Sequence, residues 1–393
     1  FFVDFLGFSA TQWAEVVSIT SVCTRQNMNE GDGMTYSGSG VDIDAESSAV
    51  ASLIGSLANS TREKGTLGAP VKLEGGFGGL IEFGPNWLAL ATDGVGSKLQ
   101  IANSLSRYEG VGMDCVAMNV NDLLCVGAEP LAFVDYIAVP SPSVDAHSRI
   151  GGSLSEACRR ANVTLAGGET ATLPGIVTEL DLSGTALGWL PSGMAITGEA
   201  IAPGDVLIGF PSSGFHSNGF SLVRNVVSKS GVGLTDPCPF PSEHGSRSIE
   251  FDQGDLGSVL LNPTRIYVDP IVSLLFSEKS VCARDKIHGI AHITGGGLSN
   301  LLRLSRTVGF VIDDPLEPHP EFEWIGSVGN VSDWEMHRVF NMGMGMVVVA
   351  DRTVAPEVVE WAQERVPGTK VVGRVTEGGE VVHTPLNLRY DQY

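Results

Sequence analysis

The apolar run Trp87–Leu90 passes directly into Ala91–Lys98 (ATDGVGSK), and this junction limits what the chain can build. A buried strand is expected to end there, presenting one carboxylate (Asp93), two glycines (Gly94 and Gly96) and one ammonium (Lys98). Glycine lets backbone approach a ligand closely, and an acid beside it suits a metal–phosphate site. A strand-ending turn with a solvated aspartate would use the same letters, so the rest of the chain has to decide. It repeats the pattern. Val163–Ala166 reads as a short buried strand that runs into Gly167, Gly168, Glu169 and Thr170. Gly112–Ala128 reads as a helix with Val116, Val120, Leu123 and Leu124 inward, on which Asn119 and Asp122 share a face. That polar pair either serves a site, faces solvent or caps a neighbouring loop. Asp93, Asp122 and Glu169, arriving at the edges of one layer, are expected to converge on a divalent ion. All-oxygen ligands favour Mg²⁺.

A second pair of turns lies further on. Pro211–Gly219 (PSSGFHSNG) joins a strand, Val206–Phe210, to a helix, Gly219–Ser228. Free N–H groups and the dipole at a helix N-terminus favour an anion, so Ser213, Gly214, Ser217, Asn218 and Gly219 are candidate phosphate or substrate contacts. Ala291–Leu298 (AHITGGGL) has the same layout and adds Thr294, Gly295 and Gly296 between strand His288–Ile293 and a helix at Leu298–Leu304. Each turn carries one histidine. His216 and His292 are therefore proton-transfer candidates, or else ordinary loop histidines.

Strand Leu131–Val139, helix Ala146–Ala161, helix Arg265–Phe276 and strand Gly345–Ala350 complete a mixed α/β (α+β) pattern. The Gly- and Pro-rich stretch Pro191–Gly204 reads as a linker, giving domains at 34–195 and 196–393. Residues 1–33 begin with Phe and carry Asp4 and Glu15 rather than a basic leader. They are expected to be an upstream extension or a loose tail, with a short amphipathic helix at Thr11–Thr20 as the other reading.

The chain has 393 residues and a formal net charge of −21, spread along its length. That excludes a general nucleic-acid or anionic-membrane binder, which needs a basic footprint. No apolar run is long enough to span a bilayer. The six cysteines form no C-x-x-C pair and fit reduced thiols in a cytoplasmic protein. No P-loop, G-x-S-x-G elbow or H-E-x-x-H motif is present, and Gly75–Gly79 is too loose for a dinucleotide fingerprint.

Taken in order, YSGSGVDIDA (36–45), ATDGVGSK, NVNDLLCVGAEP (119–130), GGETA, SSGFHSNGFSLVR (212–224), PTRIY (263–267), HITGGG and FNMGMGM (340–346) resemble the phosphoribosylformylglycinamidine cyclo-ligase (AIR synthetase) family. The resemblance implies a two-domain AIR-synthetase-like fold in a homodimer whose N-terminal sheets pair across the interface. It implies ATP-dependent, Mg²⁺-assisted closure of formylglycinamidine ribonucleotide to aminoimidazole ribonucleotide in purine (IMP) biosynthesis. It also assigns Asp93, Gly94, Gly96, Asn119, Asp122, Gly167 and Gly168 to the nucleotide, and Asp93, Asp122 and Glu169 to the metal. Lys98 would neutralise phosphate charge, and Glu169, His216 and His292 would serve the reaction. Asp42 and Asp44 would contact nucleotide or metal, or form a plain turn. Thiamine-phosphate kinase and selenophosphate synthetase share the acids, although Cys23 lies outside any selenophosphate motif. A non-catalytic binding protein of this fold is the remaining alternative.

Overall fold

The computed structural model describes residues 33–40, 49–50, 52–53, 61–71, 73, 79–245 and 247–392. The expectations for the helix at Thr11–Thr20, for Cys23, for Asp42 and Asp44, and for most of 75–79 lie outside the described residues. So does nearly all of the segment 1–33.

Two sheets and one buried helix organise the chain. The first sheet holds β1 (Pro70–Val71), β2 (Gly79–Phe83), β3 (Asn86–Gly94), β4 (Glu129–Val139), β5 (Thr164–Thr172) and β6 (Asp181–Pro191). Their order is β1-β2-β3-β6-β4-β5, antiparallel except for the β4–β5 pair. A short α1 (Lys98–Leu105) follows β3. Helices α2 (Val111–Cys125) and α3 (Val144–Arg160) cover one face of this sheet. Helix α2 is buried at every position except Asp122, so its polar Asp114, Asn119 and Asn121 have to find partners inside the protein. One side packs on β3, β4 and β6; the other meets the second sheet at β8. At Gly112 an added Cβ would lie 2.4 Å from the Leu154 backbone nitrogen, so α2 and α3 cross where only glycine fits.

The second sheet runs β13-β12-β9-β11-β7-β10-β8. Its strands are β7 (Val206–Pro211), β8 (Ile287–His292), β9 (Val308–Ile312), β10 (Met344–Ala350), β11 (Lys370–Glu377), β12 (Val381–His383) and β13 (Leu388–Tyr390). Around it lie α4 (Phe220–Ser230), α5 (Leu256–Leu260), α6 (Val268–Phe276), α7 (Pro320–Gly329), α8 (Asp333–Val339) and α9 (Ala355–Gln363). One apolar core runs from Leu80 and Phe133 through Val116 and Leu124 to Val347 and Phe310, so the two sheets share it across α2. The mixed α/β expectation is met.

Two local expectations are corrected. The segment after Val163 is not a buried strand: β5 is an edge strand, exposed along nearly all its length. Residues 298–304 do not form an α-helix but belong to a 3-10 turn, Gly297–Arg303, whose entry has positive φ at Gly296 and Gly297.

Candidate active site

The site is assembled where β3, α2, β8 and the loop 211–219 meet. Strand β3 delivers Asp93 on its helix-covered face, beside buried Ala89 and Ala91. The Gly94 amide donates to Asp93 Oδ1 at 2.7 Å, and Asn119 Nδ2 donates to the Asp93 carbonyl at 3.2 Å and to the Cys115 carbonyl at 2.8 Å. Asn119 therefore fixes the strand end, while its buried Oδ1 has no partner. Burial, and next to it the charge of Asp122, push the Asp93 carboxyl up to about 6. Two carboxylates this close resist joint ionisation, and a cation between them would relieve both. Gly96, at φ 68°, makes the turn into α1.

Asp122 Oδ1 meets His292 Nδ1 at 2.8 Å, a contact from α2 to the end of β8. His292 is wholly buried, and its Nε2 lies 3.5 Å from Asn121 Nδ2. These partners fix Nδ1 as the protonated nitrogen and Nε2 as the acceptor. Asn121 also joins the domains: its Nδ2 donates to the Arg265 carbonyl at 2.9 Å, and its Oδ1 accepts from the Tyr267 amide at 3.0 Å.

Lys98 is placed differently from its expected role. Its ammonium is fully buried against the Asp114 carboxylate (2.8 and 2.9 Å), the His216 carbonyl (3.0 Å) and the Asn262 carbonyl (2.8 Å). Three N–H groups meet three partners, leaving no donor for a phosphate. Burial lowers its pKa, and Asp114 opposes that shift. Asp114 also accepts from the Thr264 amide (2.8 Å) and hydroxyl (2.6 Å), and so ties α1, α2, loop 211–219 and residues 262–264 together.

The loop 211–219 is cross-braced. Ser213 Oγ donates to the Pro263 carbonyl (2.6 Å), Asn262 Nδ2 to the Ser213 carbonyl (2.7 Å) and Asn341 Nδ2 to the Gly214 carbonyl (2.9 Å). Ser217 Oγ lies 3.1 Å from Thr264 Oγ1. Gly219 sits at φ 74° with no room for a Cβ beside Phe340, and no side chain caps α4 behind it. The second glycine turn abuts the first: a Cβ on Gly295 would lie 3.3 Å from Asn218 Oδ1. Asn300 Nδ2 holds the carbonyls of Gly295 (3.1 Å) and Gly297 (2.8 Å), and Thr294 accepts from the Gly297 amide (2.9 Å).

His216 is a loop-shaping ring. It stands at φ 61°, is buried, and accepts through Nε2 from the Ser213 amide at 3.1 Å. Burial, reinforced by the nearby cationic groups, drives its pKa well below the ordinary histidine range. A neutral imidazole with Nε2 already engaged is poorly placed to shuttle a proton.

Glu169 does not join Asp93 and Asp122 within one chain. Asp93 pairs with Gly184, Gly184 with Asp135, and Asp135 with Gly168, which puts β5 three strand spacings (about 14 Å) from β3. A Cβ on Gly168 would collide with the Asp135 side chain, so Gly168 faces the helices and Glu169 faces the opposite way. Gly167, with Val134 nearest it, shares that outer face. Among the described residues no three His, Cys, Asp or Glu side chains form a metal-binding group. Asp93 and Asp122, with partnerless Asn119 Oδ1 nearby, are an all-oxygen set that fits a Mg²⁺ completed by phosphate oxygens.

A cavity of about 560 Å³ lies behind Asn341, among Ile312, Leu316, Phe322, Met336 and Met344. No Lys or Arg lines it, so it does not suit a phosphate.

Sequence reasoning missed Asp114, Asn121, Asn262, Thr264 and Asn341. The NVND, PTRIY and FNMGMGM blocks contained three of them (Asn121, Thr264 and Asn341), but their partners lie 127 to 150 positions away.

Asp93 at the end of β3 and Asp122 on α2, the latter bonded to His292 at the head of a glycine turn, belong to a chain that matches the AIR synthase related class. The family description "AIR synthase related protein, N-terminal domain" matches residues 78–190, and its C-terminal counterpart matches residues 202–384. A phosphoribosylformylglycinamidine cyclo-ligase of Methanosarcina mazei is 44% identical over 346 residues, 88% of this chain and 96% of that protein. The Methanothermobacter thermautotrophicus cyclo-ligase is 43% identical over 351 residues, 89% of this chain and 96% of that one. The chain belongs to the phosphoribosylformylglycinamidine cyclo-ligase family and is an enzyme. Among solved structures, thiamine-monophosphate kinase from Stenotrophomonas maltophilia aligns with a TM-score of 0.55 at 17% identity, covering 86% of this chain and 96% of that one. Hydrogenase maturation protein HypE in complex with ATP gives 0.53 at 17% identity, covering 79% and 84%. At that identity the likeness concerns the fold.

Proposed function

We propose that this chain closes the imidazole ring of formylglycinamidine ribonucleotide at the expense of ATP, yielding aminoimidazole ribonucleotide, ADP and phosphate, in cytoplasmic purine (IMP) biosynthesis. The γ-phosphoryl group is taken by the formyl oxygen, which turns a poor leaving group into a good one. The amidine-side nitrogen then attacks that carbon, and phosphate departs with the oxygen as the ring closes. Both reacting ends belong to one substrate, so holding them in place supplies much of the acceleration. The carrying observation is the Asp93–Asp122 pair, with the Asp93 carboxyl lifted to about 6 and Asp122 hydrogen-bonded to His292 at the head of the second glycine turn.

Asp93 and Asp122 would hold Mg²⁺, which when bound neutralises charge on the transferring phosphate. Gly94 and Asn119 keep Asp93 in position through its Oδ1 and its carbonyl. His292, hydrogen-bonded to Asp122 through Nδ1, is better placed than His216 to orient a ligand carboxylate. The braced loop would receive substrate phosphate or the phosphoryl group in transit, on the amides ahead of α4.

A homodimer is part of this reading. The outer face of the first sheet carries exposed Leu90, Val134 and Tyr136 with half-buried Leu187, and at its margin Trp189 meets Phe276 of α6. The five described cysteines are unpaired, consistent with a cytoplasmic setting. No helix among the described residues is long and apolar enough to cross a membrane.

The test is an ADP-release assay with Mg²⁺-ATP and formylglycinamidine ribonucleotide, with the aminoimidazole product quantified in parallel. Equal amounts of ADP and aminoimidazole are expected. Folded, ATP-binding protein that releases no substrate-dependent ADP would reject the reading.

A further inference from the structure

Residues 263–267 lie flat against loop 211–219, and their backbone is tied down on both sides of Arg265. The Pro263 carbonyl accepts from Ser213 Oγ, and the Thr264 hydroxyl meets Ser217 Oγ. The Arg265 carbonyl accepts from Asn121 Nδ2, and the Tyr267 amide donates to Asn121 Oδ1. The Arg265 side chain is the exception in this bonded region. Among the described residues it makes no hydrogen bond and no ion pair, and its Nε is buried without a partner.

An unpaired guanidinium is out of place in a chain of net charge −21, where acids outnumber bases 45 to 24. The other cations of the region have carboxylates. Lys98 is closed in by Asp114, and Arg247 by Glu321 in a buried pair. The Arg265 charge reaches two rings of the same loop region, contributing to the depressed pKa of both His216 and His319. A guanidinium that lacks a protein partner and follows directly on residues bonded to loop 211–219 is arranged for an anion from outside the protein.

We infer that Arg265 is the cation that receives phosphoryl oxygens at loop 211–219. Its planar fork can take two oxygens of one phosphate, which the fully engaged Lys98 cannot do. This rests on the cyclo-ligase reading, which gives the site two sources of the same chemistry. One is the ribose phosphate of the substrate, and the other is the γ-phosphoryl group that ends as inorganic phosphate.

The experiment compares the full-length wild type with Arg265→Gln and Arg265→Lys. Inorganic phosphate is the first probe, read by thermal shift. Phosphate should stabilise the wild type and lose that effect in Arg265→Gln. Kinetics then separate the sources. A ribose-phosphate role raises KM for formylglycinamidine ribonucleotide about tenfold to a hundredfold and leaves KM for ATP in place. A role on the transferring group instead lowers kcat by a similar factor and weakens product inhibition by phosphate. Arg265→Lys should restore part of the loss as a point charge. It also carries the test if the Gln variant does not fold, since its phosphate affinity must still fall below wild type. The inference is overturned by wild type that phosphate does not stabilise, or by a folded Arg265→Gln with kcat, both KM values and the phosphate shift within twofold of wild type. Phosphate-dependent stabilisation lost in Arg265→Gln, in a protein that closes no ring, would keep the anion site and reject the cyclo-ligase reading.

Discussion

Asp93 combines two effects that a surface carboxylate never shows together. Its pKa of about 6 lies above the ordinary 3.8, chiefly because burial disfavours the charge and then because Asp122 is near. With the folded value above the unfolded one, its contribution to stability is full below pH 3.8 and is lost as pH rises through about 6. Asp93→Asn should therefore raise the thermal midpoint above pH 6, by about 2 °C or more, while lowering turnover at least ~100-fold through the lost cation ligand. Scanning calorimetry at pH 5 and pH 8, beside the ring-closure assay, checks both; a variant destabilised at pH 8 would contradict the account. The same carboxyl predicts an acid limb. At low Mg²⁺ activity should fall as pH drops through about 6. Asp122→Asn removes a neighbouring charge and should move that limb toward lower pH, measured on whatever turnover remains.

At the scale of elements, the joint between the domains depends on one buried ion pair. Lys98 and Asp114 are both 0% exposed and are shared among α1, α2, loop 211–219 and residues 262–264. Lys98→Met leaves the Asp114 carboxylate buried with a hydroxyl and an amide but no cation. It should cost about 3–5 kcal/mol by urea unfolding, and pairing it with Asp114→Asn should return part of that loss. A double-variant cost equal to the sum of the two single-variant costs would show that the two residues do not act as a pair. This joint also marks the limit of what the sequence disclosed. The apolar spacing of Val116, Val120, Leu123 and Leu124 identified α2, the strand-end pattern brought out Asp93, and the helix face shared with Asn119 brought out Asp122. Asp114 was invisible, because an acid in a helix gains meaning only from partners such as Thr264, 150 positions on. Lys98 was misread for the same reason: a lysine after a glycine turn looks free until its three acceptors are in place. Residues 163–166 were apolar enough for a buried strand, but local composition does not say whether a strand sits at the centre or the edge of its sheet.

For the whole molecule, the unfinished feature is the outer face of the first sheet. Strand registry places Leu90 beside Leu187, Thr185 between Thr92 and Val134, and Ser183 beside Tyr136, with Glu169 at the far end of the last row. Leu90, Leu187, Val134 and Tyr136 make this face partly apolar beside Thr92, Thr185 and Ser183, and exposed apolar side chains grouped on one sheet face mark a surface that is covered in use. A second copy is the natural cover, because two identical twisted sheets can pack face to face about a two-fold axis and bury the same residues on each. The expected species is therefore a dimer of about twice 41.4 kDa by light scattering. Val134→Lys and Tyr136→Lys each set like charges near that axis in an interface that would otherwise be dry, so each should shift the population to monomer at micromolar concentration. Far-ultraviolet circular dichroism should stay unchanged, since both side chains already face outward. A Val134→Lys/Tyr136→Lys double variant that still runs as a dimer would show that the outer face is not where the copies meet. In that case Glu169, which shares the face, would lie on open surface rather than at a subunit contact.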